Sequence, residues 1–151
     1  MAEEKQGVEE KASDILVVDA NNQIAGRLAS RVAKELLRGM RVFVVNAEHA
    51  VISGNPKFIV KKYDEKVKRG DPYHGPFYPR IPDRMLKRII RGMIPYKRAK
   101  GRAAMKRLRV FISVPEEYKG KETKLISEHT LENKFITLGE LAIKLGAKRT
   151  W

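Results

Sequence analysis

The stretch ILVVDANNQIAGRLASRVAKELLRGMRVFVV, residues 15–45, decides the architecture. Ile15-Leu16-Val17-Val18 is a short unbroken apolar run, the pattern of a strand buried on both faces. Asp19-Ala20-Asn21-Asn22 interrupts it with turn formers. Apolar side chains then recur four apart at Ile24, Leu28, Val32 and Leu36, flanked by the small residues Ala25, Ala29 and Ala33, which predicts a helix with one packed stripe. Gly39 falls where a helix closes in the left-handed conformation. Val42-Phe43-Val44-Val45 repeats the strand signature. Strand, helix and strand within about thirty residues make a βαβ crossover, which requires parallel strands and a right-handed connection. The expected class is therefore α/β.

Outward from this unit, residues 1–13 are charged and nearly devoid of large apolar groups, so a flexible tail is expected before a single domain over 14–151. The amino terminus lacks the apolar segment of a secretory leader, and no apolar run approaches the roughly 20 residues that span a bilayer. A cytoplasmic location is expected. Downstream, Asn55-Pro56 predicts a capped second helix that turns Phe58, Ile59, Tyr63 and Val67 inward and ends near Gly70. A third helix is predicted over Arg84–Ile94, capped by Asp83 and stopped by Pro95. Leu108–Val114 reads as a strand ended by Pro115. Thr137-Leu138-Gly139-Glu140 has the form of a capping box and opens a short helix with Leu138, Leu141, Ala142 and Leu145 on one side, closed by Gly146.

The charge is not spread evenly. The chain carries 32 Lys and Arg against 18 Asp and Glu. Residues 57–109 hold 18 of the basic groups and four of the acidic ones, and the remaining residues hold 14 of each, so the whole excess lies in one contiguous third. Residues 80–109 contain 12 basic groups and one acid, Asp83. On the third helix, Arg84, Lys87, Arg88 and Arg91 share one arc, opposite Met85, Leu86, Ile89, Ile90 and Met93. Lys97, Arg98, Lys100 and Arg102 follow in what reads as a cation-rich loop, where Gly101 would let the backbone approach a phosphate. With Arg80, Lys106 and Arg107 these residues define a basic helix-loop extension over 80–107, and residues 96–107 are expected to lack order without RNA. A single basic helix face is ordinarily just solvated, but complete segregation of charge points to a polyanion. An anionic membrane surface fits less well, because the opposite arc is short and has no Trp.

Tyr73, His74, Phe77 and Tyr78 precede the basic helix, and Tyr96 follows it. Aromatic faces beside a basic stripe suit unpaired RNA bases, although such residues among prolines also serve to pin a loop to the core. No zinc finger, homeodomain or zipper pattern points to DNA. Catalytic sets are missing from the sequence: there is no Cys, no Gly-rich phosphate loop, and His49, His74 and His129 are dispersed. His49 reads as a core or capping histidine, and an active site would need acids such as Asp19, Glu48 and Asp64 to converge. No metal, cofactor or small-molecule substrate is expected.

Several segments resemble a known family. Asp19-Ala20, Gly26-Arg27-Leu28-Ala29-Ser30, Val44-Val45-Asn46-Ala47-Glu48 and Ile52-Ser53-Gly54 are similar to the amino-terminal half of the universal large-subunit ribosomal protein number thirteen. Arg91-Gly92-Met93-Ile94-Pro95-Tyr96-Lys97, with Gly101 and Leu108-Arg109-Val110-Phe111, resembles its central signature. Phe77-Tyr78-Pro79-Arg80-Ile81-Pro82-Asp83 and the ending from Phe135 to Trp151 look like the archaeal branch, so the likeness covers residues 15–151 in order. It implies a three-layer α/β/α fold with a four-stranded, mostly parallel sheet. It also implies a ribonucleoprotein role in translation, binding large-subunit rRNA and neighbouring ribosomal proteins without catalysis. Two rival expectations are a small RNA-modifying or RNA-cleaving enzyme and an RNA-binding regulator that works away from the ribosome.

Overall fold

The computed structural model describes residues 15–119, 133–149 and 151; the expected tail at 1–13 and His129 lie outside them. Strand β1 (Ile15–Asp19), helix α1 (Ala25–Arg38) and strand β2 (Arg41–Val45) form the predicted crossover. The two strands are parallel, Ile15 pairing with Arg41 and Asp19 with Val45. Gly39 closes α1 with φ 107°, its N–H donating to the carbonyls of Glu35 and Leu36. On β2 lies a third parallel strand, β4 (Leu108–Val110), which pairs Val42 with Leu108 and Val44 with Val110. The order across the sheet is β1-β2-β4.

Among the described residues the sheet is therefore three-stranded, not four-stranded. Strands β3 (Val51–Ser53) and β5 (Phe135–Thr137) pair with each other instead, antiparallel, as a separate two-stranded ribbon. The ribbon joins the body through Val51 N–H to the Gln23 carbonyl (2.9 Å) and Leu138 N–H to the Ala50 carbonyl (2.8 Å). The expected strand over 108–114 ends at Val110 for a visible reason. Ser113 has φ 58°, a left-handed conformation that turns the chain out of the ladder, and the Glu48 carboxylate accepts its N–H at 3.1 Å.

Even-numbered sheet residues face the core, and Val18, Val42, Val44 and Leu108 are sealed from solvent there. Leu28, Val32 and Leu36 of α1 pack among them together with Met85, Leu86 and Ile90 of α3 (Pro82–Gly92). Each side chain of this size contributes about 1.5–3 kcal/mol on burial. The alanines of α1 are buried as well, which lets α3 approach closely. Helix α2 (Pro56–Lys68) starts as predicted, with the Asn55 side chain accepting the Lys57 N–H at 3.1 Å. Ile59 and Tyr63 are buried and Val67 partly so, but Phe58 is 67% exposed. Phe58 lies about 100° around the helix from Ile59, off the i, i+4 stripe. Helix α5 (Leu138–Lys144) is capped by Thr137, whose hydroxyl accepts the Glu140 N–H at 3.2 Å.

Two expectations for the basic segment need correction. Asp83 does not cap α3: the helix begins at Pro82, whose ring suits the first helical position, and Ile81 is the extended cap residue. Asp83 lies in the first turn, where a carboxylate complements the positive end of the helix. Residues 96–107 are not a loop, because Ala99–Lys106 form helix α4. Gly101 and Ala104 are buried, so α4 is held against the body by its small residues.

Candidate nucleic-acid interface

Helix α3 presents its charges as the periodicity requires. Arg84, Lys87 and Arg91 are exposed, while Met85, Leu86 and Ile90 are buried beneath them. Met93, expected on the apolar arc, is exposed, because it follows the last helical residue and the period no longer governs it. Arg80, Lys97, Arg98, Lys100, Arg102 and Lys106 are exposed as well. Lys and Arg ion pairs among the described residues include Arg38–Glu35 (2.8 Å), Lys68–Asp64 (2.7 Å) and Lys119–Glu116 (3.8 Å). None of these pairs uses a cation from residues 80–109, so the described carboxylates leave that field uncancelled.

Two cations of the segment are occupied internally. Arg88 Nη1 donates to the Phe77 carbonyl (3.0 Å), and its guanidinium lies 4.7 Å from the centre of the Tyr78 ring. Arg107 Nη2 donates to the Leu36 carbonyl (2.9 Å), joining the Gly39 N–H on an acceptor in the last turn of α1. Both read as positioning groups.

The aromatic residues separate in the same way. Tyr73 is 88% exposed, on a turn closed by reciprocal hydrogen bonds between the Asp71 and Gly75 backbones, and Phe77, just beyond that turn, is 69% exposed. Asp71 also accepts the Tyr73 N–H at 2.9 Å, and exposed His74 lies 3.5 Å from the same carboxylate. Tyr96 is 40% exposed, with the Arg91 guanidinium 4.9 Å from its ring centre. Tyr78 is different. Its ring packs edge-on against Tyr63 at 5.8 Å and lies beneath both Lys66 and Arg88. Burial, and then neighbouring Tyr63, push its hydroxyl up to about 12. Tyr78 thus pins the loop to α2, with two cations already over its ring.

Gly101 also has a role other than the one expected. A Cβ there would stand 2.0 Å from the Pro95 carbonyl oxygen and 2.9 Å from the Tyr96 nitrogen. The bare glycine lets α4 seat against the chain's own 95–96 turn, whereas the sequence points to a phosphate.

Sequence reasoning left Lys62, Lys66 and Arg109 out of the site. Burial lowers the Lys66 pKa first, and then the like charges of Lys62, Arg88 and Arg69 lower it further, so α2 adds its cations to the edge of the α3 field. The charge count over 57–109 contained this signal, but the assignment to 80–107 cut it off.

The potential catalytic groups do not assemble. Asp19 accepts the Asn46 side-chain amide at 2.9 Å, and buried Glu48 accepts both the N–H and the hydroxyl of Ser113. Asp64 is elsewhere, paired with Lys68 on α2. His49 is neither core nor cap but exposed, with Nε2 3.7 Å from Glu48. Among the described residues, no group of three or more His, Asp or Glu could hold a metal ion. No helix there is long and apolar enough to cross a membrane.

Comparison with known proteins agrees with the resemblance. A model of the family "Ribosomal protein L13" matches residues 13–117. The large ribosomal subunit protein uL13 of Methanosarcina barkeri is 51% identical over 137 residues, covering 87% of this chain and 98% of that protein. The protein of the same name from Archaeoglobus fulgidus is 47% identical over 138 residues, 88% of each chain. That from Haloarcula marismortui is 46% identical over 137 residues, 90% of this chain and 94% of its own. A family match over most of the chain, and relatives near half identity along most of their length, leave one assignment: this chain belongs to the ribosomal protein L13 family.

Proposed function

We propose that the protein is a structural constituent of the large ribosomal subunit that binds large-subunit rRNA, supports subunit assembly and adjoins other ribosomal proteins. It acts by binding and not as an enzyme. The observation that carries the reading is the field of exposed cations over residues 80–109 with no ion-pair partner among the described carboxylates, on a chain whose relatives are named large ribosomal subunit proteins. A mixed surface would neutralise itself, whereas this one needs an external polyanion.

In this reading one domain over 14–151 is the rigid mount, and residues 80–107 are its RNA-facing extension. Arg80, Arg84, Lys87, Arg91, Lys97, Arg98, Lys100, Arg102 and Lys106 contact phosphates, which position the protein without reading sequence. Arg88 and Arg107 hold the mount together and touch RNA secondarily. Tyr73, His74, Phe77 and Tyr96 are the aromatic groups available to unpaired bases.

The test is co-sedimentation. Tagged full-length protein produced in an archaeal host should migrate with large subunits through a high-salt gradient. Migration with free RNA or messenger complexes alone, and none with large subunits, would favour the regulator and overturn the assignment.

A further inference from the structure

Two grooves meet where α4 runs into β4. The first, of about 780 Å³, is bounded by α3, α4 and β4, and combines the apolar surfaces of Tyr96 and Met105 with the cations of Lys87, Arg91 and Arg102. The second, of about 540 Å³, opens on the sheet face that carries Phe43. There Phe43 packs against Phe111 with ring centres 6.3 Å apart and against Tyr118 at 5.1 Å. Lys106 and Arg109 line both grooves. Arg109 pairs with Phe43 across the parallel ladder and so projects from the same face. The two exposed cations thus form a ridge between two aromatic pockets.

Three features select the occupant. Among the described residues lining either groove there is no carboxylate. Each groove sets aromatic rings beside cations, the combination that holds an unstacked base together with its phosphate. A duplex keeps its bases inside and has no use for rings recessed in a groove. We propose that the two grooves form one track for single-stranded RNA, with an unpaired base in each groove and the intervening phosphate on Lys106 and Arg109. The inference rests on the rRNA-binding reading and deepens it by naming an unpaired segment as the ligand, on a surface that extends beyond residues 80–107 to Phe43, Phe111 and Tyr118.

The test uses the full-length chain with a fluorescent uridine hexanucleotide, read by anisotropy, and with the same oligonucleotide carrying 4-thiouridine, read by photo-cross-linking and mass spectrometry. Cross-links are expected in both grooves, on peptides containing Tyr96 or Met105 and on those containing Phe43 or Phe111. Tyr96→Leu and Phe111→Leu should each weaken hexanucleotide binding by about tenfold, the loss of one stacked base. Lys106→Gln with Arg109→Gln should weaken it further, while Lys144→Gln, on α5, should change nothing. A duplex of matched length should compete poorly. Cross-links confined to one groove, equal competition by the duplex, or unaltered binding by the Lys106/Arg109 variant would overturn the proposal. The cross-linking uses the unaltered chain, so it decides the matter even if Phe111→Leu loosens the ring cluster. If the chain binds a large-subunit rRNA transcript but ignores the hexanucleotide, the track alone fails. If it binds neither, the rRNA reading fails with it.

Discussion

Replacing Gly101 with Ala tests the packing that makes residues 95–107 a rigid mount. A Cβ at this position would stand 2.0 Å from the Pro95 oxygen and 2.4 Å from its carbonyl carbon, where ordinary contact begins at 3.4 Å. The neighbours are backbone atoms, so no side chain can rotate away, and α4 must retreat by more than an ångström. Overpacking a buried site costs about 1–3 kcal/mol, and a backbone clash belongs at the upper end of that range. Alanine's better helix propensity offsets about 1 kcal/mol. The net expectation is a loss of about 2 kcal/mol, or roughly 4–8 °C in Tm for a chain of this length. Gly26→Ala is the matched control: Gly26 lies in α1 with no atom within 4 Å of its would-be Cβ, so the propensity gain should survive alone. Urea unfolding followed by circular dichroism reads both variants. Because α4 carries Lys100 and Arg102, Gly101→Ala should also weaken RNA binding. A Gly101→Ala protein as stable as Gly26→Ala would refute the reasoning, since α4 could not then be seated against the Pro95 turn.

Other expectations concern the division of the charges. Arg107→Gln should cost about 1–2 kcal/mol of stability by removing the charged hydrogen bond that ties it to the Leu36 carbonyl, whereas Arg91→Gln should leave the Tm nearly unchanged and lower RNA affinity; the reverse pattern would refute the division. Arg88→Ala combined with Arg91→Ala should both destabilise the 77–78 loop and weaken binding, with hydrogen exchange at Phe77 and Tyr78 separating the two effects. If about 6–10 phosphates are engaged, affinity for a large-subunit rRNA fragment should fall by about 10³–10⁵ between about 50 and 200 mM salt, and a flat response would remove the electrostatic basis of the site. Tyr78 gives an alkaline signature. Its pKa is raised from 10.0 to about 12 in the fold, so its contribution is complete below pH 10, declines as pH rises from 10 to about 12, and is absent above that. Tyr78→Phe should flatten that part of the stability curve; superimposable curves for the two proteins would count against the buried assignment.

Much of the fold was legible along the chain because its signals are local. The four-residue stripe of α1, Gly39 at its end, Asn55-Pro56 and the Thr137 cap all act within a few residues of themselves, and each appears as read. The failures had non-local causes. The strand after Leu108 is cut short by Glu48, a carboxylate 65 residues away in sequence. The count of four strands failed because β3 pairs with β5 across more than eighty residues and leaves the parallel sheet, among the described residues, to three strands. Residues 96–107 look like a charged loop because glycine and alanine carry no strong periodic signal, yet their smallness is what lets α4 pack.

Composition and spacing alone established a βαβ core, a contiguous basic third and an amphipathic helix to display it, because charge and helical period are properties of neighbouring residues. Tertiary structure alone decided which of those cations are available. Arg107 is taken by a carbonyl 71 residues distant, Arg88 and Tyr78 lock each other into the loop before α3, and Arg109 gains its place beside Phe43 from strand register. A side chain's freedom depends on what the fold brings within about 3 Å of it, and hydrogen bonds at that range form between residues with no fixed separation along the chain.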